Sequence, residues 1–337
     1  MRTQARFPAL DREAGHYESF YIKATRPEGG LGVWIRHTIH KRPGAEPTAS
    51  IWFVLFDGEA ASPAATKATF PAAELAAPQA GYVRVDGATL EPGRAVGELH
   101  SLVLNASWDL SFTDSGEAFR HLPYGWMYRA PLPRTKLLSP HPSARFSGRV
   151  TVAGRDIELD RWPGVIGHNW GAEHAERWVW IQGGCFPGHP EDSYLDIAAG
   201  RIKVGRWTTP WIANGMLFID GEPHRLGGLD RVRSTELNEE PTSCEFRLTG
   251  KGITVRGRVS AEQRNFVGWV YADPEGPEHN TLNCSIADLQ FTVEREGRPL
   301  EHLKVHGGAA YEIGMRESNH GIPVQPYSDG GPAAGSG

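Results

Sequence analysis

An all-β fold of antiparallel strands, spread over two domain lengths, is what this sequence predicts. Apolar residues alternate with a period of two in segment after segment, and tight-turn residues separate those segments. No long stretch holds the 3.6-residue period of a helix, so helices should be few and short. Many short strands of this kind close into barrels or stack as sandwiches. The 337 residues suffice for roughly two domains, each with its own core.

Taken in order, Leu31, Val33, Ile35 and Ile39 alternate with Trp34, Arg36, Thr38 and His40, a half-buried strand whose partner is the run 51–56. Before it, Glu18 and Lys23 lie at odd spacing on a first strand and read as solvent or rim charges on opposite sides. Residues 71–77 make one helical turn, closed by Pro78. Segments 94–100 and 102–112 read as a further pair. The prolines at 131, 133, 140 and 142 then predict an extended loop rather than a strand interior. Segments 145–152 and 156–159 form a hairpin over Ala153-Gly154-Arg155. In the second half, turns at Asp220-Gly221, Gly250-Lys251-Gly252 and Glu296-Gly297 join alternating strands. The tail 330–337 is low in complexity and expected to be disordered.

The chemistry concentrates in residues 164–180. Gly164, Gly167 and Gly171 suggest tight turns, and between and after them stand His168, Asn169, Trp170, Glu173 and His174. From Arg177 the chain alternates again, with Trp178, Trp180 and Gln182 on one side and Val179 and Ile181 on the other. Tyr194 to Ala198 alternates as well. Aligning Leu195 and Ile197 with Val179 and Ile181 puts Tyr194 and Asp196 beside the tryptophans. The expectation is that Asp196 lies inside the second barrel with a raised pKa, a neutral acid able to protonate an alkene or carbonyl beside cation-tolerant aromatic walls. The plainer alternative is an Asp bonded to backbone N–H groups. Trp207 and Trp211 could close a barrel mouth or merely cover a loop.

Other function classes fall away. A net charge of −5 without a basic run argues against nucleic acid. Cys185, Cys244 and Cys284 have no ligand-like spacing and suggest a reducing compartment. No secretory h-region or membrane-length apolar run is visible, so a cytoplasmic protein is expected, with at most transient contact with a membrane surface. His168 and His174 lack the helical His-Glu-x-x-His spacing and a third convergent ligand, so no metal is expected. Nucleotide-binding glycine loops and a Gly-x-Ser-x-Gly elbow are absent from the sequence.

The run Gly167-His168-Asn169-Trp170-Gly171, followed by Arg177-Trp178-Val179-Trp180, resembles the tandem-lipocalin superfamily of carotenoid 1,2-hydratases (hydroxyneurosporene synthases) and attH-type proteins. Tocopherol-cyclase-like and lipocalin-like Diels–Alderase proteins look like relatives. The resemblance extends to residues 16–23, 34–36, 210–215, 283–289 and 307–312, over most of the chain. It implies two calycin-type β-barrels in tandem, a non-polar ligand and no cofactor. The expected boundaries are 1–170 for the first barrel, 171–328 for the second and 329–337 for the tail.

Two functions follow as expectations. The first is a cofactor-independent enzyme on a hydrophobic isoprenoid, polyene or polyketide-like substrate, catalysing acid-initiated hydration, cyclisation or isomerisation. Asp196 or Glu173 would donate the proton, and His168 or His174 would act as base or position water. Asn169, Trp170, Trp178, Trp180, Gln182, Tyr194, Trp207 and Trp211 would contact the ligand. The second is a non-catalytic carrier of a hydrophobic ligand, whose pocket can be apolar throughout. A metal-dependent enzyme using the two histidines is a third option.

Overall fold

The computed structural model describes residues 3–79, 81–113, 116–276 and 278–328, so the expected disordered tail lies outside the described residues. The first half carries β1 (His16–Thr25), β2 (Leu31–Lys41), β3 (Thr48–Asp57), β4 (Ala64–Pro71), β5 (Leu75–Ala76) and β6 (Val83–Val85). It continues with β7 (Ala88–Glu91), β8 (Arg94–His100), β9 (Asn105–Thr113), β10 (Phe119–Arg120), β11 (Thr135–Val152) and β12 (Arg155–Gly171). These pair in the order β4-β3-β2-β1-β12-β11-β9-β8-β7-β6-β5, with β10 also on β11.

The second half carries β13 (Arg177–Gly184), β14 (Tyr194–Arg201), β15 (Lys203–Val204), β16 (Trp207–Thr208), β17 (Ile212–Ile219), β18 (Glu222–Gly227) and β19 (Glu236–Glu240). Then come β20 (Ser243–Gly250), β21 (Ile253–Ser260), β22 (Val267–Tyr271), β23 (His279–Arg295), β24 (Glu301–Met315) and β25 (Val324–Ser328). Here β13, β14, β17, β18, β20, β21, β23 and β24 pair in turn, and β24 returns to β13, closing a ring. The fold is two barrel-like, lipocalin-type antiparallel sheets in tandem, with β25 running parallel to β22. Among the described residues helix is confined to short 3-10 turns, one of them Ala72–Glu74 in the turn expected after Pro71.

Three local expectations are corrected. Strand β11 runs through Pro140 and Pro142, because register shifts between Leu138 and His141 and between His141 and Ala144 take the prolines out of the ladder. Gly164, Gly167 and Gly171 sit within β12 rather than in turns. They are small because neighbours press on them: a Cβ at Gly164 would lie 2.1 Å from the Lys23 carbonyl oxygen, and one at Gly171 2.0 Å from that of Arg134. Finally, β1 and β2 are buried along their whole lengths, so Glu18 and Lys23 are interior groups and β2 is not half-exposed.

Double burial has one cause: the barrels pack on each other through their outer faces. Phe20, Ile22, Ile35, Ile51 and Phe53 fill the first barrel. The alternate residues Trp34 and Trp52 turn outward onto Trp269 of the second half, the Trp52 ring 4.9 Å from it and edge-on. Burying side chains of this size stabilises by about 2–3 kcal/mol each. Val179, Ile181, Leu195 and Ile197 belong to the second barrel's core, with Leu217, Val255 and Ile313. Trp178, Trp180, Gln182, Tyr194 and Asp196 therefore point out of that barrel, toward the first. The parity argument for Asp196 holds, but the face is the outer one. Asp196 is fully buried only because the first barrel covers it.

Candidate active site

A seam of aromatic and titratable groups runs between the barrels. Strand β1 presents Tyr17, Ser19, Tyr21 and Lys23 to it, opposite to its core residues Phe20 and Ile22. Strand β13 presents Trp178, Trp180 and Gln182, about 7 Å apart along the strand. Tyr21 meets Trp180 edge-on, ring centres 5.2 Å apart, with Val165 and Ala310 completing the contact.

Asp196 anchors the middle of the seam. Its Oδ1 accepts a 3.0 Å hydrogen bond from Trp180 Nε1, and its Oδ2 accepts one of 2.7 Å from Ser139 Oγ. His121 Nε2 lies 3.5 Å from Oδ2 and 3.2 Å from Ser139 Oγ. The Trp donor has no acceptor role, so Oδ1 is fixed as an acceptor. Both carboxylate oxygens thus receive protein hydrogens, an arrangement that suits an anchor joining the halves.

His174 stands at the neighbouring end, in the link between β12 and β13. Asp273 Oδ1 accepts from both the backbone N–H and Nδ1 of His174, at 2.7 Å each. That bond turns Nδ1 to the carboxylate and leaves Nε2 on the far side of the ring, buried and without a hydrogen-bond partner. Tyr17 stacks on the imidazole at 3.9 Å, and Trp178 and Tyr271 complete the box at 5.3 and 5.9 Å. Beneath them Glu312 accepts from Trp178 Nε1 at 3.0 Å, Tyr271 Oη at 3.3 Å and Asn283 Nδ2 at 3.1 Å. Burial would raise the Asp273 pKa, but the hydrogen bond and charge of His174 outweigh it and hold the carboxyl below its ordinary range. Burial, with the charges of His174 and Arg316, lowers His279 to about 3.

The missing third ligand, on which the expected absence of metal rested, is supplied by the tertiary structure. Donor atoms of His174, Asp273 and His279 lie within 4.8 Å of one another. Yet Arg316 Nη1 stands 3.4 Å from Nδ1 of His279 and donates to it, putting a guanidinium beside the cluster. The charge pattern suits a proton-handling group better than a metal cage.

The remaining candidates scatter. His168 lies on the opposite face of β12, stacked between Phe20 at 4.0 Å and Trp170 at 4.5 Å, with Nε2 2.7 Å from Glu18 Oε1. Burial lowers its pKa against the pull of Glu18. Glu18 also accepts from the backbone N–H groups of Arg6 and Phe7, which ties the N-terminal segment down. Trp170 packs on Tyr128, Leu122 and Leu138 under the Arg6 guanidinium, away from the seam. Asn169 is half-buried opposite Ser19, its Oδ1 unpartnered. Glu173 pairs with Arg134 near the surface. Trp207 is 70 % exposed, whereas Trp211 borders a cavity of about 1320 Å³ with Phe246, Phe291 and Leu303, a space that none of the seam acids or His174 touches. Tyr194 and Gln182 border a smaller one of about 200 Å³ at the seam.

Sequence reasoning missed Tyr17, His121, Ser139, Asp273, His279 and Glu312. Asp273 is 99 residues from His174, and no local pattern links them. Tyr17 and Glu312 had a sequence pointer, since they lie in the 16–23 and 307–312 motifs.

No protein-family model matches the chain. Two curated relatives, the uncharacterized proteins MT0513 and Rv0493c of Mycobacterium tuberculosis strains CDC 1551 and H37Rv, are 27% identical over 333 residues, covering 98% of this chain and 94% of theirs. Among solved structures, a protein assigned as AttH from Nitrosomonas europaea matches with a TM-score of 0.55 at 16% identity, over 93% of this chain and 96% of that one. CghA matches at 0.54 and 14%, over 91% and 90%, and its complex with Sch210972 at 0.53 and 13%, over 90% and 89%. The likeness is one of fold, and it spans both barrels.

Proposed function

We propose that the chain is an enzyme of general acid–base chemistry on a hydrophobic isoprenoid, polyene or polyketide-like substrate bound at the seam, with His174 as the proton-transferring group. The observation that carries this reading is the Nε2 atom of His174: buried, unpartnered, and aimed by the Asp273 carboxylate on Nδ1. A carboxylate in that position fixes the tautomer and stabilises the imidazolium formed when Nε2 takes a proton. Hydration, cyclisation and isomerisation of an alkene all require a proton to be placed on or taken from carbon. Tyr17, Trp178 and Tyr271 would tolerate a cationic centre there, and Glu312 adds negative charge behind the rings. Asp196 serves as the hydrogen-bonded anchor of Trp180 and Ser139, leaving proton transfer to His174. The CghA complex with Sch210972 supports a ligand site in this fold. A carrier would need only apolar walls, and the titratable groups of the seam favour the enzyme.

The test is solvent deuterium. The protein is incubated in D2O with a panel of isoprenoid polyenes and unsaturated polyketides, and products or recovered substrates are weighed by mass spectrometry. Deuterium on carbon is expected from the wild type for at least one member, falling by about a hundredfold or more in His174→Ala and Asp273→Asn. Binding of panel members without any deuterium incorporation, or incorporation unchanged in both variants, would reject the reading.

A further inference from the structure

Lys23 is among the buried nucleophiles that the acid–base reading leaves unused. Lys23 lies on the outer face of β1 and is only 2 % exposed. Among the described residues no carboxylate pairs with it; its Nζ donates to the Gly308 carbonyl oxygen at 2.5 Å. An ammonium without a counter-ion is poorly solvated there, and burial lowers the pKa of Lys23 to about 7. A substantial share of molecules therefore carries the free amine at neutral pH.

The amine also has space beside it. Lys23 borders the cavity of about 200 Å³ at the seam, together with the buried side chains of Gln182, Ser193 and Tyr194. Exposed Glu28 and Glu191 also border it, so the cavity reaches the surface. The Oε1 atom of Gln182, in a side chain itself 2 % exposed, has no hydrogen-bond partner. An unmet acceptor and a free amine on one cavity wall are the complement of a carbonyl compound: the amine attacks carbon, and the hydroxyl of the addition product can donate to the amide oxygen.

We propose that Lys23 captures an aldehyde or ketone on a hydrophobic ligand as an imine. The nitrogen lone pair forms the C–N bond and the carbonyl oxygen takes up a proton. The resulting carbinolamine loses water as the C=N bond forms, and hydrolysis reverses the sequence. No oxidant or reductant enters. A buried lysine of lowered pKa is suited to this step because only the neutral amine attacks. The capture is independent of His174 and goes beyond the acid–base chemistry proposed above.

The experiment traps the adduct. The full chain is incubated with citronellal, an isoprenoid aldehyde whose double bond is not conjugated to the carbonyl and so gives Cys185 no site for conjugate addition. Sodium borohydride then reduces any imine to a stable secondary amine. Peptide mapping should place the adduct on Lys23 in preference to the exposed Lys203 and Lys251, and to Lys304 at the rim of the same cavity, with labelling at Lys23 rising several-fold between pH 6 and pH 8. Lys23→Arg should abolish that adduct, and His174→Ala should retain it even if the acid–base reading fails. A wild-type map with adducts on the exposed lysines and none at Lys23 overturns the proposal, and this comparison needs no variant to fold.

Discussion

The ring of Tyr21 occupies the space that a side chain at Gly167 would need: a Cβ there would lie 1.9 Å from Tyr21 Cζ and 2.2 Å from its hydroxyl oxygen. The two residues face each other across the β1–β12 ladder, and the same ring meets Trp180 of the other barrel. A missing side chain in one strand thus seats the aromatic that joins the halves. Gly167→Ala is expected to displace Tyr21 and cost about 3 kcal/mol, the upper range for overpacking. Urea unfolding of Gly167→Ala, Tyr21→Ala and the double variant measures it. The double should lose clearly less than the sum of the singles, and strict additivity would show that the ring and the glycine do not interact.

Acid sensitivity should trace to Glu18. Burial alone would raise its pKa, but His16 beside it and the hydrogen bond to His168 prevail and hold the carboxyl at about 2. The unfolded chain then binds more protons than the folded one between about pH 4.5 and pH 2. Stability from this group is complete above that window and lost as the pH falls through it, by about 3 kcal/mol in all. Glu18→Gln should be less stable at pH 7 and show a shallower loss through the window. Parallel urea midpoints at pH 5 and pH 3 for both proteins would expose any failure of that difference.

The His174–Asp273–His279 cluster should stay free of stoichiometric zinc or iron. The ground is Arg316, whose guanidinium stands against Nδ1 of His279. Elemental analysis after purification in zinc-supplemented medium should find well under one equivalent. One equivalent that disappears in both His174→Ala and His279→Ala would establish a metal site and reassign His174 from proton carrier to ligand.

Most strands, their two-residue parity and the grouping of Trp178, Trp180, Gln182, Tyr194 and Asp196 on one face are legible in the residues alone, whereas the strand stretches around Pro140 and Gly167 are not. Side chains on a strand must alternate, so that grouping is local information. The aliphatic character of Val179 and Ile181 likewise marked a core face. What parity cannot state is which side of a closed sheet is inside when both sides are buried, and here the tertiary structure decided. The barrels bury each other's outer walls, which turned Lys23 from an expected rim charge into an interior group and placed Asp196 against Ser139 and His121, whereas Glu18 is buried on the Phe20 side of β1 under the Arg6–Phe7 backbone and His168. Folding of the second half itself likewise brought Asp273 and His279 to His174 from about a hundred residues away. Contacts of that kind come from how two finished surfaces fit, and no periodicity within either segment encodes them.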